Sequence, residues 1–434
     1  MSVLASMYSG ISGLNSNGTA MEIIGNNISN INTPSFKAMR AEFSDVLSKT
    51  LRQSYSVGRG SQVDSLSTIY EQGGFQTTAN VLDLAIEGKG FFMVNDSENY
   101  RSFYTRAGNF HLDNNGFVVN NSGYRLQGYP VTQGGDKTGT PGDIQISSSL
   151  LQPKPTTEAS FTVNLSSNAD ANPGGAWDAD DPVNTSNFSS SLTVYDTLGN
   201  PHQLTVFYRL ESVGATGNQW SWHVAAPADE WASPTPGATY MEGATGTLEF
   251  DTEGRLMNET TTANSFDFSG GAEPGQVINF DFGDNVTTEG GTGLEGSTQF
   301  GESSATMFQY QDGFGPAYLE ALDVDTEGRI IGKYSNGEVR YFAQIAMVNF
   351  SNSNGLSRVG NNNYSKTNTS GSPIIATANT AGNGRIFANT LELSNVDLAE
   401  QFVNMITIQR GFQANSRSIT TSDQMLNDLV NLVR

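Results

Sequence analysis

The sequence has no cysteine and few basic residues. Its 434 residues include 22 Lys and Arg, 44 Asp and Glu, and three His. Without thiols the chain can form neither disulfides nor zinc–thiolate sites, and it has no cysteine nucleophile. A net charge of −22 repels phosphate backbones and anionic lipid headgroups. The composition therefore argues against nucleic acids and acidic membrane surfaces as partners.

Long apolar runs are also missing. No stretch of 18 apolar residues occurs, so we predict no membrane insertion. The N-terminal residues MSVLASMYSGISGLNSNG lack the basic and the apolar parts of an ordinary signal peptide. These facts alone are compatible with a cytoplasmic chain, and an extracellular location requires an export route that does not cleave the N-terminus.

Catalytic and metal-binding patterns are scarce. HExxH, GxSxG and a complete phosphate loop do not occur, and Gly88-Lys89-Gly90 runs straight into the apolar run FFMV. Asp323 and Asp325 resemble the start of a calcium loop, but Tyr334 stands where that loop needs Glu. A glycosidase pair of carboxylates can come from residues distant in sequence, so this possibility stays open. We predict no enzyme activity, no metal and no cofactor, and place all three histidines in turns or at the surface: His111, His202 and His223.

Acidic residues concentrate in the middle of the chain. Residues 151–310 hold 21 acidic and 3 basic side chains, whereas the other 274 residues hold 23 acidic and 19 basic ones. A dense negative charge keeps a surface soluble and repels its copies. We therefore expect the nearly neutral ends to be the buried, associating parts.

The two ends carry apolar patterns typical of paired helices. One apolar residue recurs every seven positions at the C-terminus, beside a second row that is half polar. The N-terminal stripe passes through Gly18 and Gly25, so its helix is weak alone. We expect the two helices to pair; the alternative is two amphipathic helices on separate domains. The predicted seam comprises Leu4, Met7, Ile11, Leu14, Met21 and Ile28, and Leu398, Phe402, Met405, Phe412, Ile419, Leu426 and Val433.

Short alternating runs between the ends predict β-structure. The pattern Asp, two polar residues, Gly recurs in FHLDNNGFVV, LEFDTEGRLM and LDVDTEGRII, and indicates tight hairpins. The predicted fold is mainly β with terminal α-helices, in nested domains bounded by Gly- and Pro-rich segments. These are a terminal helical coiled-coil domain (1–30 and 394–434), an extended connecting region (31–69 and 366–393), an inner β domain (70–150 and 307–365) and an outer acidic β domain (151–306).

Several segments resemble one family of bacterial proteins. GNNISNINTPSFK (Gly25–Lys37) and the segment Ser394–Leu432 resemble the terminal signatures of the flagellar rod, hook and hook-associated axial proteins. LDLAIEGKGFF (Leu82–Phe92) is similar to the core of the hook and distal-rod branch, as is Tyr104–Pro130. VYDTLGNPHQLTVFY resembles the additional middle domain of hook proteins, and GKYSNGEVRYFAQIAMVNF the returning half of the inner domain. Together these segments cover about a third of the chain.

The resemblance implies a structural subunit of the flagellar hook, which polymerises into a tubular, bendable universal joint that transmits torque from rod to filament. A distal rod or hook-associated protein is the alternative within the family, and an acidic extracellular adhesin is the alternative outside it. The implied location is extracellular. The implied partners are copies of the same chain, rod and hook–filament junction proteins, and, during assembly, the hook cap and the type III export apparatus.

The resemblance also implies residue roles. Beside the seam, Gln409, Arg410 and Asn415 are expected to form hydrogen bonds between subunits. Pro34 disfavours helix at the preceding Thr33, and asparagine side chains are expected to satisfy the backbone groups freed there. The family motif consists of Asn26, Asn27, Asn30, Asn32, Thr33 and Phe36.

Overall fold

The computed structural model of the chain describes residues 2–46, 59–146, 150–288 and 290–432, with the side chains of the terminal helices described from Ser6 to Asp428. The long helix α1 (Ser2–Ser29) comes first, and the short helix α2 (Pro182–Thr185) lies mid-chain. The last element, α3 (Leu398–Leu432), is again long, so the predicted terminal helices are confirmed. Within this part of the chain no helix is long and apolar enough to cross a membrane.

The cap of α3 follows its sequence. Asp397 precedes the helix, and its Oδ1 accepts hydrogen bonds from the N–H groups of Ala399 and Glu400 at 2.7 and 3.1 Å. Such a carboxylate satisfies free N–H groups of the first turn.

Strands dominate the rest of the described chain. The first ten are β1 (Met39–Asp45), β2 (Ser61–Thr68), β3 (Phe75–Thr77), β4 (Ala85–Glu87), β5 (Phe91–Asp96), β6 (Arg101–Thr105), β7 (Phe110–Leu112), β8 (Val118–Asn120), β9 (Arg125–Pro130) and β10 (Gly142–Asp143). The next nine are β11 (Glu158–Asn164), β12 (Phe188–Tyr195), β13 (Pro201–Gly214), β14 (Gly217–Pro227), β15 (Tyr240–Phe250), β16 (Leu256–Phe266), β17 (Gln276–Val277), β18 (Asn279–Asp281) and β19 (Ala305–Gln311). The last nine are β20 (Leu319–Val324), β21 (Arg329–Tyr334), β22 (Val339–Ile345), β23 (Met347–Asn349), β24 (Ser357–Gly360), β25 (Asn363–Ser365), β26 (Ile374–Ala376), β27 (Arg385–Phe387) and β28 (Thr390–Glu392).

The chain divides into two compact units. The first comprises the described residues of 1–148, 320–333 and 339–434. It holds both terminal helices, the hairpin β1–β2 and a sheet whose main order is β20-β21-β22-β9-β5-β6-β25-β24. The antiparallel pairs β28–β3 and β27–β4 join the returning chain to its outgoing part. One of its cores is aromatic and contains Phe91, Tyr104, Phe350 and Tyr364.

The second unit comprises the described residues of 149–319 and 334–338. Its strands form a six-stranded antiparallel meander, β12 to β17, and a three-stranded sheet in the order β18-β11-β19. Side chains from both sheets form one apolar core around the fully buried Trp220 and Trp222. Alternation along β12, whose inward residues include Leu192 and Val194, places one face of the meander in this core.

Asp312 ties the end of β19 to the start of β11. Its carboxylate accepts hydrogen bonds from Lys154 Nζ, Thr157 Oγ1 and Thr157 N, each at 2.8 Å. Burial disfavours the charged carboxylate, but these hydrogen bonds outweigh it and lower the pKa of Asp312 to about 2. The ionised carboxylate therefore stabilises the second unit.

The predicted domain boundary at 306/307 is wrong. Residues 305–311 form β19, which pairs antiparallel with β11, and the second unit extends to residue 319. The Gly-rich composition of 283–306 suggested a joint, but the strand that follows it completes the sheet of the acidic unit. Residues 307–319 therefore belong to the second unit rather than to the predicted inner domain.

The three predicted hairpin turns are confirmed and share one geometry. In the first, the N–H of Gly116 donates to Asp113 O at 3.0 Å, and the N–H of Phe117 donates to Asp113 Oδ1 at 2.8 Å. Asp251 and Asp325 repeat these bonds in the other two turns. The turn glycines have φ between 77° and 81°, which only glycine adopts freely. The Asp325 carboxylate thus holds a turn and also accepts a bond from Arg329 Nε at 2.6 Å.

Candidate assembly interface

The terminal helices lie antiparallel against each other. Near one end, Ser6 Oγ and Ser422 Oγ are 3.0 Å apart, and near the other, Asn27 Nδ2 donates to Gln401 Oε1 at 3.1 Å. These two polar contacts lie near opposite ends of the paired helices, so the predicted pairing of the two ends occurs within one chain.

Glycines set the close approach between the helices. A Cβ added to Gly10 would lie 2.9 Å from Ile419 Cγ1, and one added to Gly13 would lie 2.4 Å from Asn415 Nδ2. Both distances are shorter than real Cβ contacts, so a larger residue at either position would force Ile419 or Asn415 to move. Gly10 and Gly13, which also weaken α1 as an isolated helix, therefore let it pack closely against α3.

The seam within the chain differs from the predicted one. The α3 row that faces α1 is Gln401, Ile408, Asn415 and Ser422, at seven-residue spacing and mostly polar. The predicted second row, which begins with Phe402 and Gln409, is exposed. On α1 the buried positions are Gly10, Gly13, Ser16, Ala20, Ile23, Ile24 and Asn27. Small residues occupy several of these positions because the closely packed helices leave no room there for the large apolar residues that a hydrophobic pattern favours.

Of the predicted seam residues, Ile419 lies in this contact, against Gly10, and the exposure of the others varies. Met7, Leu14, Met21, Ile28, Met405, Asn415, Ile419 and Leu426 are half-buried. Ile11, Leu398, Phe402, Gln409, Arg410 and Phe412 are exposed. The side chain of Leu4 and the whole of Val433 lie outside the described residues. Asn415, predicted to bond between subunits, packs instead against Gly13 of its own chain.

Four of the exposed apolar residues of α3 lie on one side of the helix. At 3.6 residues per turn, Leu398, Phe402, Ile406 and Phe412 fall within about 120° of the helix circumference. We call these four the outer apolar face. Phe402 is 49% exposed and Ile406 is 50% exposed in the single chain. Exposed apolar side chains grouped on one side of a helix are typical of a protein–protein contact.

Asn27 connects α1 to the hairpin and to α3. Its Nδ2 donates to Met39 O at 2.8 Å and its Oδ1 accepts from Met39 N at 3.0 Å, as a paired strand would. The same Nδ2 reaches Gln401. One buried amide therefore fixes three elements of the family motif region.

The rest of the motif ends α1 and starts the extended segment. Asn30 Nδ2 donates to Asn26 O at 2.9 Å, and Thr33 Oγ1 donates to Asn30 Oδ1 at 3.0 Å. These bonds satisfy the last turn of the helix, as expected of asparagine side chains. Phe36 is buried against Val396, whereas Asn26 and Asn32 are exposed.

A buried ionic cluster lies directly after the motif. Lys37 Nζ is 2.6 Å from Glu392 Oε1, and both side chains are 0% exposed. Arg106 Nη1 is 3.6 Å from Glu392 Oε2. The N–H of Gly73 also donates to Glu392 Oε1, at 3.0 Å. We call Lys37, Arg106 and Glu392 the buried ionic cluster; it joins the N-terminal arm, the main sheet and the returning C-terminal arm.

The buried ionic cluster has more cations than anions. Burial lowers the pKa of Lys37, and the adjacent Glu392 carboxylate opposes this. Burial likewise lowers the pKa of Arg106, again opposed by Glu392. One carboxylate therefore keeps two buried cations charged. Sequence reasoning missed this cluster because its three members are distant in the chain and no spacing marks them.

The second unit contains two histidine clusters that the sequence placed at the surface. His202 is buried, with Nδ1 2.5 Å from Glu230 Oε2 and Nε2 3.2 Å from Asp196 Oδ2. That prediction was wrong because an Asp and a Glu supply partners inside the fold. His111 is exposed as predicted.

His223 takes part in an arrangement with the order of a hydrolase triad. Its Nδ1 lies 2.6 Å from Glu242 Oε1 and its Nε2 lies 3.1 Å from Ser221 Oγ. Ser221 Oγ, however, donates its hydrogen to Glu211 Oε1 at 2.7 Å. The ring of Trp177 stacks on the imidazole with centroids 4.1 Å apart. Because the Ser221 hydroxyl donates to another acceptor and Trp177 covers the imidazole ring, the arrangement is structural rather than catalytic.

Comparison with known protein families matches most of the chain. Residues 7–37 match the flagella basal body rod protein family, and residues 85–166 match the flagellar hook protein FlgE/F/G D1 domain. Residues 164–314 match the flagellar basal body protein FlaE D2 domain. Residues 388–432 match the C-terminal region of the flagellar basal body rod FlgEFG proteins.

Curated relatives match over their full length. The flagellar hook protein FlgE of Treponema pallidum is 36% identical over 100% of both chains. The chain belongs to the flagellar hook protein family. Flagellar hook protein FlgE of Escherichia coli is 34% identical over 97% of this chain and 98% of its own. The solved structure of Helicobacter pylori flagellar hook protein FlgE2 covers 72% of this chain and 98% of its own, with a TM-score of 0.52 and 16% identity, which supports the fold.

Membership of the hook protein family confirms the main predictions made from the sequence. The fold is mainly β with N- and C-terminal helices, and the chain is a structural subunit of the flagellar hook, located in the hook–basal body. The family is a structural one and takes part in hook assembly and self-polymerisation.

Proposed function

We propose that this hook subunit polymerises through its paired terminal helices. The observation that carries the proposal is the outer apolar face of α3, which remains exposed after α1 and α3 have paired. Covering such a surface with a second copy removes apolar area from water at about 25 cal/mol per Å². Contacts that repeat without closing a ring generate a helical tube.

The pairing within a chain presents this face as one rigid surface. Glycine contacts and the Asn27 and Ser6 hydrogen bonds fix α1 against α3. The buried ionic cluster then fixes both arms to the first unit. A rigid inner wall of this kind transmits torque, because twisting it would separate close-packed apolar surfaces.

The acidic second unit suits sliding contacts. Residues 151–310 hold 21 acidic and 3 basic side chains, so neighbouring copies repel each other. A hook that bends while it rotates shortens and lengthens each row of subunits in every turn. Repulsive, hydrated contacts in its outer layer let these rows move past each other without sticking.

This mechanical role also implies specific partner proteins. Hook subunits of this design would contact rod proteins at one end and hook–filament junction proteins at the other, with the hook cap and the type III export apparatus acting during assembly. In the polymer we assign Gln409 and Arg410, both exposed on α3, to hydrogen bonds between subunits. The role is mechanical throughout, with no catalytic step.

Electron microscopy tests the proposal. The full-length chain is expected to form tubes, and a variant lacking residues 394–434 is expected to form none. A matched control carries Val403→Ala, an apolar residue that is 63% exposed on α3 but outside the outer apolar face. Tubes from the truncated variant, or a full-length chain that stays monomeric, would overturn the proposal.

A further inference from the structure

The turn Gly88-Lys89-Gly90 lines a cavity of about 310 Å³ in the first unit. Tyr70, Phe91 and Phe350 form aromatic walls of this cavity. Arg106 also lines it while nine-tenths buried. The sequence singled out this turn as an incomplete phosphate loop, and hook assembly as described above gives it no role.

Arg106 holds the turn in place. Its Nη2 donates to Gly88 O at 2.6 Å and its Nη1 donates to Ile86 O at 3.3 Å. Gly88 and Gly90 have φ of 102° and 119°, a backbone region open to glycine. The two glycines therefore let the chain turn sharply and leave Lys89 exposed at the rim. Among the described residues, no carboxylate forms an ion pair with Lys89.

Positive charge beside Arg106, which lines the cavity, exceeds negative charge. Lys37 and Arg106 share the single carboxylate of Glu392. Arg358 adds a third cation, since its Nη2 donates to Lys37 O at 2.5 Å. Its guanidinium lies 5.8 Å from the centroid of Tyr364, an aromatic neighbour of Tyr70. A desolvated excess of cations is costly unless an anion approaches it.

We propose that this cavity is a carboxylate-binding pocket, and that its occupant in the hook is an Asp or Glu side chain of a second copy of the chain. Lys89 at the rim and Arg106 in the floor supply the charge. The aromatic walls match the methylene groups of an acidic side chain. The inference rests on the polymerisation proposed above.

Charge complementarity selects the second copy as the source. The chain carries 44 acidic residues and a net charge of −22, so an approaching copy presents mainly carboxylates. A cationic pocket on a strongly acidic protein also sets which part of a neighbour docks there, because most other contacts between copies are repulsive.

Carbodiimide coupling of assembled hooks tests the pocket. This reagent joins a lysine directly to a carboxylate with which it is in contact. The coupled protein is separated into monomer and dimer bands, and the peptides of each are sequenced by mass spectrometry. We expect an amide bond from Lys89 to an Asp or Glu peptide in the dimer band, absent from free subunits treated in the same way.

Substitution gives an independent measure. Lys89→Gln is expected to raise the critical concentration for polymerisation about two- to fivefold, as for an ion pair at a rim. Lys366→Gln is the matched control, since Lys366 is also exposed in the first unit, and it should change nothing.

Two outcomes would overturn the pocket while leaving hook assembly intact. One is normal tubes whose Lys89 forms no link in the dimer band although other lysines do. The other is equal critical concentrations for the two variants. Failure of the wild-type chain to form tubes would instead contradict the proposed function.

Discussion

Removing Glu392 should destabilise the first unit more than removing Lys37. Glu392 is the single carboxylate of the buried ionic cluster, so Glu392→Gln leaves two buried cations without an anion. Lys37→Met leaves Arg106 and Glu392 as a pair of one cation and one anion. It also keeps the apolar stem of the lysine, which packs in the interior.

The contacts set the expected magnitudes. Breaking a buried ion pair from one side costs about 3–5 kcal/mol, and we expect Glu392→Gln to fall in this range. Lys37→Met removes the hydrogen bonds that Lys37 donates to Glu392 and to Glu71 O. Glu392 Oε1 still accepts the Gly73 N–H at 3.0 Å. Glu71 O still accepts Asn395 Nδ2 at 3.1 Å. With no polar atom stranded, the cost should be about 1–2 kcal/mol, as for a lost hydrogen bond to a charged group.

The distribution of tryptophan makes the assay specific. All four tryptophans, at positions 177, 220, 222 and 231, lie in the second unit. Urea unfolding followed by tryptophan fluorescence therefore reports the second unit and serves as an internal control. Hydrogen exchange measured by mass spectrometry on peptides covering 84–94 reports the first unit, where Leu84, Ile86 and Phe92 are fully buried.

The expected result is a large loss of protection in 84–94 for Glu392→Gln, a smaller loss for Lys37→Met, and an unchanged fluorescence midpoint in both. The reasoning is refuted if Lys37→Met costs as much as Glu392→Gln, because an excess of cations would then not govern the cluster. A shift of the fluorescence midpoint would show that the effect is not confined to the first unit.

Three further predictions concern other parts of the molecule. Gly13→Ala should reduce pairing of the terminal helices and polymerisation, because its added Cβ would meet Asn415. Gly18→Ala should stabilise α1 by about 1 kcal/mol, because a Cβ added there has no atom within 4 Å. Circular dichroism measures the helix content of each variant, and sedimentation measures its polymerisation. The pKa of Asp312 is about 2, below its usual value, so its stabilisation is complete above about pH 4 and is lost as the pH falls towards 2. The fluorescence midpoint should drop over that interval, and Asp312→Asn should reduce the drop, with the remainder assigned to Asp196 and Asp251, whose pKa values are also lowered. Raising the ionic strength should screen the repulsion between copies of 151–310 and change hook curvature or outer spacing, and unchanged helical parameters in electron micrographs would contradict this.

Much of the fold could be predicted because its signals are local. The seven-residue pattern identified the C-terminal helix, and the recurring Asp and Gly pattern identified three hairpins. These features depend on neighbours in sequence, so spacing alone reveals them.

The helix register and the buried ionic cluster could not be predicted, because both depend on contacts across the whole chain. The hydrophobic pattern favoured Phe402 and Phe412 for the seam, yet Gly10 and Gly13 bring α1 against a mostly polar row of α3. The pattern therefore identified part of the surface that we propose contacts other copies. Glu392 shows no local sign of its role, since Lys37 lies 355 residues away.

The central claim is that the outer apolar face of α3 carries polymerisation, and the critical concentration of Phe402→Ala tests it most directly. Phe402 is 49% exposed in the single chain, so covering it in the polymer is worth about half of a full phenylalanine burial, roughly 1–1.5 kcal/mol. We expect the critical concentration to rise about five- to tenfold, with Val403→Ala close to the wild-type value. Polymerisation of Phe402→Ala at the wild-type concentration, or an equal effect of both variants, would contradict the claim.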